Sequence, residues 1–176
     1  MTGTPQEAPP GDLPTGRETG AESQDCAPVF PSAPALRVVF DTNVLVSLYV
    51  FADSRFAPLR ARIESGEWLA LTNEACFGEF RRVLGYPLFA LAEGQQHAAL
   101  AAYDARVTHH TAAVKPETAT LPRCKDRDDQ KFLELARDSG ADWLVTADKA
   151  LLRLARRDRL RGLFRILTPE AALAGA

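Results

Sequence analysis

From Leu36 onward the chain alternates short apolar, β-branched-rich runs with longer amphipathic segments, and this alternation constrains the fold more than any other feature. It predicts an α/β domain in which a central parallel sheet is covered by helices on both faces. Residues 36–40 read as the first and central strand, followed by an apolar helix over 44–51. A second strand is expected at 68–71. Thr72 or Asn73 would cap the helix that follows it, and Gly85 and Pro87 would stop that helix. Further helices are expected at 95–107, 126–139 and 149–157, with strands at 110–114, 142–146 and 164–167. Thr168-Pro169-Glu170 opens a last short helix.

The segment before this pattern has a different character. Residues 1–34 hold seven of the twelve prolines and four of the eleven glycines, without hydrophobic periodicity, and are expected to form a disordered leader to a domain over 35–176. The leader carries five acids against Arg17, so a chain of net charge −2 has a mildly basic folded part. No apolar run is long enough to cross a bilayer, and the opening residues lack the basic start and apolar stretch of a secretion signal; a cytoplasmic protein is expected. Cys26, Cys76 and Cys124 lie about fifty residues apart. This spacing fits neither a disulfide framework nor a zinc site, so they read as ordinary reduced thiols.

Chemistry enters with the carboxylates. Asp41 directly follows the first strand, and Asp148 stands two residues past Thr146 at the end of a later one, so both belong to the rim where open α/β sheets form their ligand crevice. Either acid alone could simply cap a helix. Asp129 projects into the apolar sector formed by Phe132, Leu133 and Ala136, where a carboxylate needs a cation or the mouth of a crevice. Asp126 and Asp128 compete with it, Asp126 as a candidate cap. Glu79 lies at the margin of the face made by Cys76, Phe80 and Val83; a solvated helix-edge residue is the plain alternative. Four carboxylates around one crevice repel each other unless they share protons or recruit cations. Oxygen-only donors favour Mg²⁺ or Mn²⁺ over Zn²⁺, and such ions typically act on phosphates by activating water.

These residues carry a family resemblance. Val38-Val39-Phe40-Asp41-Thr42-Asn43-Val44-Leu45 resembles the opening motif of PIN domains. The segment 124–133 with Ala136, followed by 141–148, resembles the second half of that family's motif set, in order and in spacing. The similarity is closest to the branch described as toxin components of toxin-antitoxin systems, where Glu79 matches the acid on the helix after the second strand, and it covers about residues 36–170. The resemblance implies a Rossmann-like three-layer sandwich, an acidic Mg²⁺ or Mn²⁺ site at Asp41, Glu79, Asp129 and Asp148, and endoribonuclease activity. It also implies silencing by a co-encoded antitoxin and a homodimer as a frequent state. Asn43 and Thr146 match positions that support the acids, although turn and capping bonds would explain them equally well.

Six arginines fall between 153 and 165 against the single acid Asp158, and Arg153, Arg156 and Arg157 have the spacing of one helical face. That stripe is the expected RNA-backbone contact, with a solvated, locally paired face as the alternative. Three other functions compete: a non-toxin RNA-processing nuclease, a phosphatase with a nucleophilic Asp41, and a catalytically silent module gripping a basic partner. Asn43 argues against the phosphatase, which needs an exchangeable acid at that position.

Overall fold

The computed structural model describes residues 35–111, 120–157, 160 and 162–175. All of them belong to the second of two units into which the chain divides, Ala33–Ala176. The expected leader lies outside the described residues, as do Cys26, Asp158, Arg159 and Arg161.

Among the described residues five strands form one all-parallel sheet. They are β1 (Leu36–Phe40), β2 (Trp68–Thr72), β3 (Val107–His109), β4 (Trp143–Val145) and β5 (Arg165–Leu167), in the order β3-β2-β1-β4-β5. Among the described residues seven α-helices connect and follow them: α1 (Thr42–Tyr49), α2 (Ala57–Glu64), α3 (Glu74–Leu84), α4 (Glu93–Asp104), α5 (Gln130–Asp138), α6 (Lys149–Leu154) and α7 (Pro169–Leu173).

β1 is central, as expected, because its residues suit burial from both sides. Val38 and Phe40 face one layer, with α1, α2, α3, α4 and α7, while Val39 faces the other, with α5 and α6. The same alternation runs through Trp143, Leu144 and Val145 in β4. Each of these large side chains, taken fully from water, contributes about 1.5–3 kcal/mol. Phe40, Trp68 and Trp143 pack ring to ring across three neighbouring strands, with centroids 6.4 and 5.6 Å apart. The result is the three-layer α/β sandwich that the alternation predicted.

Several boundaries differ from expectation. The edge strand β3 spans Val107–His109 rather than 110–114, of which 112–114 lie outside the described residues, and α4 stops at Asp104 to make room for it. Helix α2 occupies a stretch with no periodic signal: only Leu59 and Ile63 of its eight residues are buried. α5 begins at Gln130, not 126, and Gly140, at φ +61°, turns the chain into β4 in the left-handed region that glycine tolerates best. α6 ends at Leu154, so Arg156 and Arg157 lie beyond it.

The strand order fixes where a crevice can form. From β1 the chain winds outward through β2 and β3, then returns to lay β4 and β5 on β1's other side. Connections therefore leave β1 and β4 in opposite directions, and the gap beyond their carboxyl ends is a topological switch point.

Candidate metal centre

Asp41 sits at that switch point. Its amide remains in the sheet, donating to the Val145 carbonyl at 3.0 Å, while its carbonyl accepts from Val44 and Leu45 to start α1. Although it occupies the N-cap position, its side chain makes no capping hydrogen bond, so the bland reading of Asp41 is not what the geometry shows. The residue is 2% exposed. Burial raises its pKa; the Thr146 hydroxyl opposes that rise, Glu79 adds to it, and the nearby amides of Thr42 and Asn43 oppose it.

Thr146 joins the two strand ends. Fully buried just past β4, its hydroxyl donates to Asp41 Oδ2 at 2.7 Å and accepts from the Asp148 amide at 2.9 Å. A serine or threonine hydroxyl can do both at once, which neither valine nor an amide could do in the same volume. Asp148 does cap its helix: Oδ1 accepts from the amides of Ala150 at 2.6 Å and Leu151 at 3.0 Å, which fixes the carboxylate at the N-terminus of α6. Asn43 is exposed and its side-chain amide stands 3.5 Å from Asp41 Oδ2, at the limit of a hydrogen bond.

Asp129 comes from a different place than the sequence suggested. It is the N-cap residue of α5 rather than a member of its first turn, and it is partly buried. Asp126, the expected cap, instead accepts the Asp128 amide at 2.9 Å in an Asx turn that folds the chain into the helix. The carboxyl of Asp129 is pushed up to about 6, first by burial and then by the charges of Asp41, Asp126, Asp148 and Glu79. Four acids from four segments therefore act on a fifth, so the crevice draws its charge from β1, α3, the approach to α5 and the start of α6.

Glu79 is mostly covered, its side chain 13% exposed, and it forms an ion pair with Lys131 of α5. Sequence reasoning missed Lys131. A lysine beside two apolar residues at the start of an amphipathic helix looks like solvated surface, and only the packing of α3 on α5 reveals its partner.

Oxygen donors without nitrogen or sulfur, one of them with its carboxyl pushed up by burial and by its neighbours, are chemically suited to a hard divalent cation, which would relieve the repulsion. Among the described residues no three acidic, histidine or cysteine side chains are gathered into a ready-made ligand cluster. Cys76 and Cys124 are free and buried; burial pushes the Cys76 thiol up to about 12, which makes it inert.

Cations flank the acids. Lys149, Leu152, Arg153 and Arg156 line a groove of about 470 Å³, although the helical stripe expected of Arg153, Arg156 and Arg157 is broken by the end of α6; all three arginines are exposed. A second groove, of about 600 Å³, is lined by Arg123, Cys124, Lys125, Arg127, Gln130 and Glu134. No helix among the described residues is long and apolar enough to cross a membrane.

No curated protein matches the chain in sequence. The family model described as PIN domain matches residues 37–150, from within β1 to the first turn of α6, a span that includes Asp41, Glu79, Asp129 and Asp148. An all-parallel sheet with acids at its switch point, matched over most of its length by that model, identifies the chain as a member of the PIN domain family, whose domains are generally nucleases that act on RNA with divalent metal ions.

Proposed function

We propose that this protein is an endoribonuclease that hydrolyses RNA phosphodiester bonds with Mg²⁺ or Mn²⁺, and that Asp41, Glu79, Asp129 and Asp148 hold the ions. The observation that carries this reading is the geometry at the switch point, where the Thr146 hydroxyl donates to Asp41 Oδ2 and accepts from the Asp148 amide, so that two strand-end acids are tied together beyond β1 and β4. When bound, the ions supply an activated water and a counter-charge for the leaving oxygen. The chain's own residues orient the donors. Thr146 aims Asp41, the α6 cap fixes Asp148, and the Asx turn of Asp126 and Asp128 presents Asp129. Asn43 stands at the limit of a hydrogen bond from the same Asp41 oxygen that Thr146 engages. Asp41 is almost entirely buried, which restricts solvent access to its carboxylate.

The RNA backbone is proposed to cross Arg153, Arg156 and Arg157 together with Lys149, whose groove begins one residue after Asp148. Lys125 and Arg127 would continue the track on the other flank. Labelled RNA incubated with the purified protein should be cut when Mn²⁺ is present, stay whole in a chelator, and stay whole with Asp41→Asn at normal thermal stability. Cleavage by Asp41→Asn at the wild-type rate would refute the assignment.

The role of toxin, restrained by a co-encoded antitoxin and working as a homodimer, is part of the same proposal and rests on the resemblance of the 38–45 and 124–148 motifs. Induced expression should arrest growth, and co-expression of the adjacent gene's product should relieve the arrest. Unimpeded growth with active enzyme would point instead to housekeeping RNA processing.

A further inference from the structure

Lys131 is a cation embedded in this acidic crevice; it falls within the 124–133 segment that carries the family resemblance, but the proposed ligand set gives it no role. It lies two residues past Asp129, in the first turn of α5. Its ammonium reaches Glu79 on α3 and also donates to the Asp128 carbonyl at 2.6 Å, next to the turn that presents Asp129. The side chain is 20% exposed, and its ammonium sits 5.4 Å from the centre of the Phe132 ring. An ion pair, a carbonyl acceptor and an aromatic face hold the charge in one place, unlike a mobile surface lysine. The Glu79 partner is covered as well, so the pair is screened less than an exposed one.

A carboxylate oxygen engaged by an ammonium is not available to a divalent ion, and an ammonium beside a bound divalent ion is repelled by it. We infer that Lys131 is a tethered counter-ion that holds Glu79 when the site has no metal and must yield it when metal binds, so that it sets the metal affinity of the crevice. This inference rests on the proposed metal role of Glu79. The lysine keeps the metal-free protein folded around an excess of negative charge, and it weakens binding of the very ion that replaces it. Affinity is thereby held below what the acids alone would give, and metal occupancy responds to cellular concentration.

Binding of Mn²⁺ alone, followed by loss of the free-ion electron paramagnetic resonance signal, tests this without reference to cleavage. Lys131→Met should bind Mn²⁺ tighter than wild type, on the order of threefold to tenfold, the effect of removing one partly covered charge contact. Lys131→Arg, which restores the charge and the contact, should return to near the wild-type affinity. In a Glu79→Gln background the gain from Lys131→Met should fall by more than half, because the contact being relieved no longer exists. An equal gain in both backgrounds would mean that Lys131 acts only through net charge, and weaker binding by Lys131→Met would mean that it orients Glu79 for metal; either overturns the inference. Should Lys131→Met fail to fold by circular dichroism, Lys131→Gln carries the same comparison. Failure of the broader proposal would show elsewhere, as wild-type protein that binds no Mn²⁺ at millimolar concentration.

Discussion

The two rims of the sheet treat charge in opposite ways. At the amino rim, Arg37 and Asp142 resolve their charges locally: the Asp142 carboxylate accepts the Arg37 amide at 2.8 Å, and the Arg37 guanidinium donates to the carbonyls of Gly140 and Ser139. These bonds staple the start of β1 to the turn that leads into β4. At the carboxyl rim of the same two strands, Asp41, Asp129 and Asp148 stand beside Glu79, the acid that Lys131 engages, and burial together with the charges of its neighbours pushes the Asp129 carboxyl up to about 6. One end of the β1–β4 pair is arranged for stability. The other stores unfavourable electrostatics, which is the usual sign of a site that expects a ligand.

The comparison breaks most clearly through Asp41. Asp41→Asn should lower metal-dependent RNA cleavage by at least about 100-fold, the upper range found for losing a mere supporting residue of a metal site, while melting no lower than wild type. Thr146→Val should cost about 1–3 kcal/mol in urea unfolding, because it leaves Asp41 and the Asp148 amide without their shared partner, and Thr146→Ser should recover most of it. Asp142→Ala should lose about 1–2 kcal/mol by removing a charge-assisted bond to a backbone amide, with cleavage by the folded fraction unchanged. A specific loss of activity in Asp142→Ala would mean that the two rims are not separable.

The smallest effect sharpens the contrast through pH. The carboxyl of Asp129 holds its proton more tightly in the fold, at about 6, than at its ordinary 3.8. Protonation therefore favours the folded state; that benefit is full below the ordinary value and is lost as pH rises through about 6. Metal-free wild type should lose melting temperature between about pH 4 and about pH 7, and Asp129→Asn should lose less. Added Mn²⁺ should abolish the difference at the upper end, whereas chelation should leave Asp142→Ala with the same pH slope as wild type.

Much of this was legible from the sequence, and the exceptions share a cause. β1, β2, β4 and β5 were found because strands buried on both faces are nearly continuous apolar runs, and Asp41 and Asp148 were found because a parallel sheet puts such strand-end acids on one rim. Residues 107–109 gave no comparable signal: an edge strand is buried little, and its last two residues, Thr108 and His109, are exposed. The start of α5 was misjudged because Asp126, Asp128 and Asp129 are all competent caps, and choosing among them depends on the Asx turn. Lys131 and the hydroxyl bridge of Thr146 are tertiary facts. Thr146 Oγ1 spans 105 positions to reach Asp41, and no local pattern encodes such a partner.

That separation also bears on synthesis. A chain halted before β4 carries Asp41 and Glu79 but lacks the threonine that aims the first acid and the aspartate that begins α6. Because β4 lies against β1, a nascent polypeptide cannot assemble the crevice until β4 and the residues just after it have emerged from the ribosome. The crevice would therefore form only after β4 and the start of α6 have been made, and a fragment ending before them would lack one of the two strand-end acids.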